Sequence, residues 1–90
     1  METKHTKGEW NVSSSFLIVN KDGKVLANCM PIGIEALEVP VEESFANSKL
    51  IAAAPDMLKA LEFVKNMLEY EKMTNTEEYY LVSNAIKKAI

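Results

Sequence analysis

The chain is predicted to be an α+β protein: a small antiparallel sheet, built from a hairpin with room for a third strand, followed by two to three helices with a proline-marked corner. Three stretches predict it. Residues 16–30, FLIVNKDGKVLANCM, place two strand-like runs on either side of Asp22-Gly23, a pair that tolerates the positive φ of a tight turn. Residues 41–72 carry apolar side chains at helical spacing, and within them NSKLIAAAPDMLKAL is interrupted only by Pro55. Residues 74–78, TNTEE, set a Thr or Asn three positions before a glutamate, the pattern of a helix start.

Each element has its own local reason. Phe16, Leu17, Ile18 and Val19 suit a strand, and after the turn Val25, Ala27 and Cys29 alternate with Leu26, Asn28 and Met30, so one face is expected to be buried. Upstream, Glu9-Trp10-Asn11-Val12 is available as the third strand, with Ser13 to Ser15 as its turn. Residues 31–40, PIGIEALEVP, hold two prolines and a glycine without sustained periodicity and read as a loop between sheet and helices.

A first helix is expected to begin near Val41 or Glu42, where Glu42 and Glu43 suit the positive end of the dipole, with Phe45, Ala46, Lys49, Leu50, Ala53 and Ala54 at helical spacing. Pro55 costs little at the first position of a helix and much in its interior, so a second helix is expected to start there and run to about Lys72. It carries two apolar faces. Met57, Leu58, Leu61, Val64 and Leu68 form the expected core stripe, while Ala60, Phe63, Met67 and Tyr70 form a second one. That second face is assigned to an oligomer interface, with cover by the third helix as the alternative. The third helix runs to the end of the chain, with Tyr79, Val82, Ile86, Ala89 and Ile90 on its stripe and Lys87 and Lys88 at the negative end of its dipole.

Ninety residues make one domain, 1–90, divided into a hairpin region 1–30, a loop 31–41 and a helical region 42–90. At that size a partner subunit is expected to help cover the core. The hydrophobic fraction is 48% and the charged fraction 26%, which excludes intrinsic disorder. No run is apolar and long enough to span a bilayer, and the lysines near the N-terminus lack the apolar segment of a signal peptide, so the expected location is the cytoplasm.

All ten basic residues are lysines and the net charge is −3, which argues against duplex nucleic acid as a partner, since phosphate clamps and base readers rely on the guanidinium fork. Residues 1–33 carry Lys4, Lys7, Lys21 and Lys24 against Glu2, Glu9 and Asp22, so any anion is expected to favour that region. Cys29 and His5 are the single cysteine and the single histidine, too few for a zinc ligand set and far apart for a nucleophile with its base. The glycines stand apart, so no phosphate-cradling loop forms, and the adjacent glutamates read as solvated faces. No enzyme activity, cofactor or metal is expected. Trp10 is suited either to stacking on a purine-like ring or to anchoring the N-terminal arm in the core.

The stretch LIAAAPDMLKAL preceded by Ala46-Asn47-Ser48-Lys49, together with His5-Thr6-Lys7-Gly8-Glu9-Trp10, resembles a widespread group of small phage and prophage proteins. These open with a motif like HTPGPW and carry NARLIAAAPELLEAL before a short C-terminal helix. Lys7 and Glu9 stand where the group has prolines. The resemblance implies a viral setting in a bacterial host. By class analogy it suggests a sponge: a homo-oligomer that sequesters a nucleotide-derived immune signal such as a cyclic oligonucleotide or a cyclic ADP-ribose isomer. Under that expectation Trp10 stacks, Lys4, Lys7 and Lys49 supply charge, and Asn11 and Asn47 supply hydrogen bonds. A protein-interaction module that docks its helices on a host or phage protein is the competing expectation.

Overall fold

A computed structural model describes residues 4–13, 16–30 and 39–90. Its elements are strands β1 (Asn11–Ser13), β2 (Leu17–Val19) and β3 (Val25–Asn28), then helices α1 (Val41–Ala52), α2 (Ala54–Tyr70) and α3 (Glu77–Ala89). This is the α+β order the sequence predicts. The expected loop over residues 31–38 and the expected turn residues Ser14 and Ser15 lie outside the described residues. Two compact units form: Thr6–Pro55, holding the sheet and α1, and Asp56–Ile90 with Lys4 and His5, holding most of α2 and all of α3.

The sheet is antiparallel in the order β1-β2-β3, with Val12 opposite Ile18 and Ile18 opposite Ala27. Ser13 is not in a turn but in β1, paired with Leu17, so the third strand sits one to two residues later than the expected Glu9 to Val12. The hairpin loop is built by Asn20 rather than by Asp22-Gly23 alone. Its side-chain Oδ1 accepts from the backbone N–H of Asp22 (2.9 Å) and of Lys24 (3.0 Å), while Gly23 takes φ +83° and donates to the Asn20 carbonyl at 3.0 Å.

Beyond the loop the register slips. Val19 pairs with Val25 but Ile18 pairs with Ala27, so β3 holds one extra residue, Leu26. This bulge breaks the expected in-out alternation: Leu26 and Ala27 are both half-buried, and Val25 is 57% exposed.

Helix α1 packs on β1 and β2, and the face it uses corrects the expected stripe. Its buried residues are Ser44 and Ser48, whereas Phe45, Ala46 and Leu50 lie on the outside. Small side chains let the helix backbone approach the sheet closely, and the buried hydroxyl of Ser48 is satisfied within the helix by donating to the Ser44 carbonyl at 2.9 Å. Beneath it Ile18 is fully buried.

The break between α1 and α2 is a single residue. Ala53 stays in the helical region (φ −80°, ψ −8°) and its N–H still reaches the Lys49 carbonyl at 3.1 Å, so Pro55, which has no N–H to continue the ladder, ends the run. Pro55 is the second residue of α2 rather than the first.

Helix α2 stops at Tyr70, short of the expected Lys72, because Lys72 turns left-handed at φ 59°. Met73 N–H then bonds the Leu68 carbonyl (2.8 Å) and Lys72 N–H the Glu69 carbonyl (3.1 Å), the crossed pair of a Schellman cap in which glycine is the usual residue. The N-cap of α3 is Thr76, not Thr74 or Asn75. Its hydroxyl accepts from Tyr79 N–H at 3.2 Å and donates to the Met73 carbonyl at 2.7 Å, so the cap has one arm of a capping box and a tyrosine where the glutamate would stand.

Two stability predictions follow from these contacts. Ser48→Leu overpacks the α1 face and is expected to cost about 1–3 kcal/mol in urea unfolding. Ser48→Ala, which removes only a hydroxyl bonded within its own helix, is expected to stay within about 1 kcal/mol of wild type; equal effects from the two would show that the face is not tightly seated. Lys72→Gly relieves a left-handed lysine and is expected to add about 1 kcal/mol, read as a raised melting temperature.

Candidate functional site

The residues expected to meet a ligand fall in several places. Trp10 precedes β1, where the positive φ of Gly8 (+89°) bends the arm so that the indole N–H donates to the Thr6 carbonyl at 3.0 Å. The ring is half-buried, between the two roles foreseen for it: it pins its own arm and keeps part of its surface open. Lys7 and Asn11 are exposed in the same unit, and Asn11 opens β1 opposite Val19. Asn47 and Lys49 are exposed on α1, but two residues of helix turn them about 200° apart, to opposite flanks of the seated serine face. The Lys49 ammonium lies 4.5 Å from the centre of the Phe45 ring, a cation–π contact. Lys4 belongs to the helical unit. The structure therefore brings Lys7, Trp10 and Asn11 into one segment and does not bring Asn47 and Lys49 to one point.

The residues assigned to an oligomer interface are all on the surface. Phe63 is 69% exposed, Met67 48% and Tyr70 84%, and Ala60 is exposed beside them, so α3 does not cover this face. The expected core stripe is the inward one except at Met57, which is exposed: Leu58 and Leu68 are buried, with Leu61 and Val64 half-buried. Ile86 of α3 is buried as well.

A groove of about 190 Å³ runs along Glu62, Lys65, Asn66 and Glu69 of α2, with Ile86 and Ile90 of α3 lining it. The four polar residues recur at helical spacing, a signal visible in the sequence. Only the structure sets the two isoleucines against them. The groove is smaller than the roughly 300–1,000 Å³ of ordinary ligand pockets. At its margin the Tyr79 hydroxyl donates to Glu69 Oε2 at 2.5 Å, so Glu69 is not merely solvated. This hydrogen bond, then desolvation, then the carboxylate charge raise the Tyr79 phenol above its usual value. Ser83, one turn on, acts in the opposite direction, the smallest of the four influences.

Because the folded state holds the Tyr79 proton more tightly than the unfolded chain, the contact's contribution is intact below pH about 10 and declines as pH rises above it. Titration of tyrosinate absorbance in the folded protein is expected to show one of the three tyrosines ionising later than the others, with that component lost in Tyr79→Phe and shifted down in Glu69→Gln. Three tyrosines titrating together would contradict the contact.

Cys29 is a half-buried free thiol in the sheet unit, and His5 belongs to the helical unit. Among the described residues no group of three acidic, histidine or cysteine side chains is placed to hold a metal ion, and no helix is long and apolar enough to cross a membrane. In comparison with known proteins, a family model described as Salmonella phage P22 protein Y8K6 matches residues 1–90. No curated protein and no solved structure matches the chain.

Proposed function

From the premise that the chain belongs to the family of Salmonella phage P22 protein Y8K6, we propose that it acts by binding rather than catalysis, as a self-assembling anti-defence protein in the host cytoplasm that sequesters a nucleotide-derived immune signal. The observation that carries this reading is the uncovered apolar face of α2, with Phe63 and Tyr70 largely exposed. Such a face is costly to leave in water and is suited to assembly. The groove along α2 is too small to enclose a dinucleotide-sized ligand, and the sheet unit carries the groups suited to one: Trp10 offers a ring for stacking and Lys7 a positive charge. Asn11 lies beside them as a hydrogen-bonding group.

Calorimetry against cyclic di- and trinucleotides and cyclic ADP-ribose isomers tests it. One member of the panel is expected to bind stoichiometrically, and Trp10→Ala to weaken that binding by about 1–3 kcal/mol, the usual worth of one stacked base. No heat across the panel removes the reading.

A second reading, a module that docks its helices on a host or phage protein, is favoured by the outer side of α1. There Leu50 is 62% exposed, on a helix other than the one that carries the first face. A pull-down from host lysate separates the two: the docking module retains a stoichiometric protein partner, and the sequestering protein retains none.

A further inference from the structure

We propose that α2 pairs with α2 of a second copy of this chain, antiparallel, across a two-fold axis near Phe63. Asp56, Ala60, Phe63, Met67 and Tyr70 follow one another at steps of four, three, four and three, the spacing of a coiled-coil seam. The neighbouring row of Leu61, Val64 and Leu68 keeps the same spacing and is the one turned inward, with Met57 at its start 42% exposed. The helix therefore carries two seams, one covered by its own chain and one open. A narrow seam of this kind calls for another helix rather than a sheet or a small molecule.

The chemistry of the open seam selects the occupant and its direction. Run antiparallel about Phe63, Ala60 faces the partner's Met67, so a small residue receives a large one on both sides of the axis. Asp56 faces the partner's Tyr70, so the one carboxylate in the seam meets a hydroxyl donor. Run parallel, Asp56 would face the partner's Asp56 and Ala60 would face the partner's Ala60, leaving a repulsion and a gap. The seam is complementary to itself in one direction only, which is the requirement for a two-fold interface.

Its area sets the strength. At their observed exposures Phe63, Met67 and Tyr70 present on the order of 400 Å² per copy, against about 800 Å² per partner in a standard interface. Flanking side chains such as Lys59, Asn66 and Glu71 form the rim. The pair belongs at the weak end of specific association, with a dissociation constant on the order of micromolar. The self-assembling reading rests on an interface of this kind, but the interface is tested without any ligand.

Light scattering over a wide concentration range is expected to show the mass rising from the 10.1 kDa of one chain towards twice that value. Met67→Glu, with an unchanged circular dichroism spectrum, is expected to weaken the pairing by about a hundredfold or more. Wild-type protein that stays at 10.1 kDa throughout overturns the proposal. Direction is read separately, in a Cys29→Ser background, from disulfide formation. A mixture of Ala60→Cys with Met67→Cys is expected to cross-link while neither variant does so alone, and self-cross-linking of Ala60→Cys overturns the antiparallel register. Dimers that bind no nucleotide would leave this inference standing and remove only the sequestration reading.

Discussion

The sheet unit depends on one close approach, that of the α1 backbone to β1 and β2. Strands of three, three and four residues do not make a stable sheet by themselves. They need a lid, and Ser44 and Ser48 let α1 come near enough to be one. A serine at such a position buries a hydroxyl, which would be costly if left unpaired; the bond from Ser48 to the carbonyl one turn back supplies the partner without asking anything of the sheet. Ile18 can then be enclosed completely between helix and neighbouring strands.

That choice decides what the rest of the helix shows to solvent. Once the serine face turns inward, Leu50 is left on the outer side, Phe45 lies partly exposed at the flank, and the Lys49 ammonium settles over the Phe45 ring. The helical unit distributes its apolar groups similarly. Leu58, Leu68 and Ile86 are its buried residues, while Phe63, Met67 and Tyr70 stay on the surface. Among the described residues both units therefore expose large apolar side chains, Leu50 in one and Phe63 and Tyr70 in the other.

The helical unit also shows how a short chain ends its helices without the usual residues. A lysine occupies the left-handed position after α2, and a threonine with a tyrosine three residues on begins α3. In each case the orphan backbone groups find partners: Glu69 and Leu68 carbonyls after α2, the Tyr79 N–H at α3. The same turn of α2 places Glu69 where the Tyr79 hydroxyl reaches it, so the two helices are tied by a polar contact beside the buried Ile86.

The sequence by itself determined the α+β order, the hairpin around residue 22, the start of α1 at Val41 and the presence of two apolar rows on α2. These are read from local chemistry: turn residues, branched runs, dipole charges and periodicity. What it could not determine was which row faces inward on α1, because Phe45 and Leu50 are the apolar choice and only the short distance to the sheet makes serine the better fit. Nor could it place the β3 bulge, the left-handed Lys72 or the Tyr79–Glu69 contact, each of which exists because of a partner distant along the chain or a backbone turn that the residue type does not favour. Of the candidate site, the second apolar row of α2 was legible from spacing alone, whereas only the structure shows that α3 leaves it open. The divergence of Asn47 and Lys49 follows from helix geometry, and the assignment of Lys4 to the helical unit, apart from Lys7, Trp10 and Asn11, was decided by the fold, because residue type says what a side chain can bind and not which side chains can bind together.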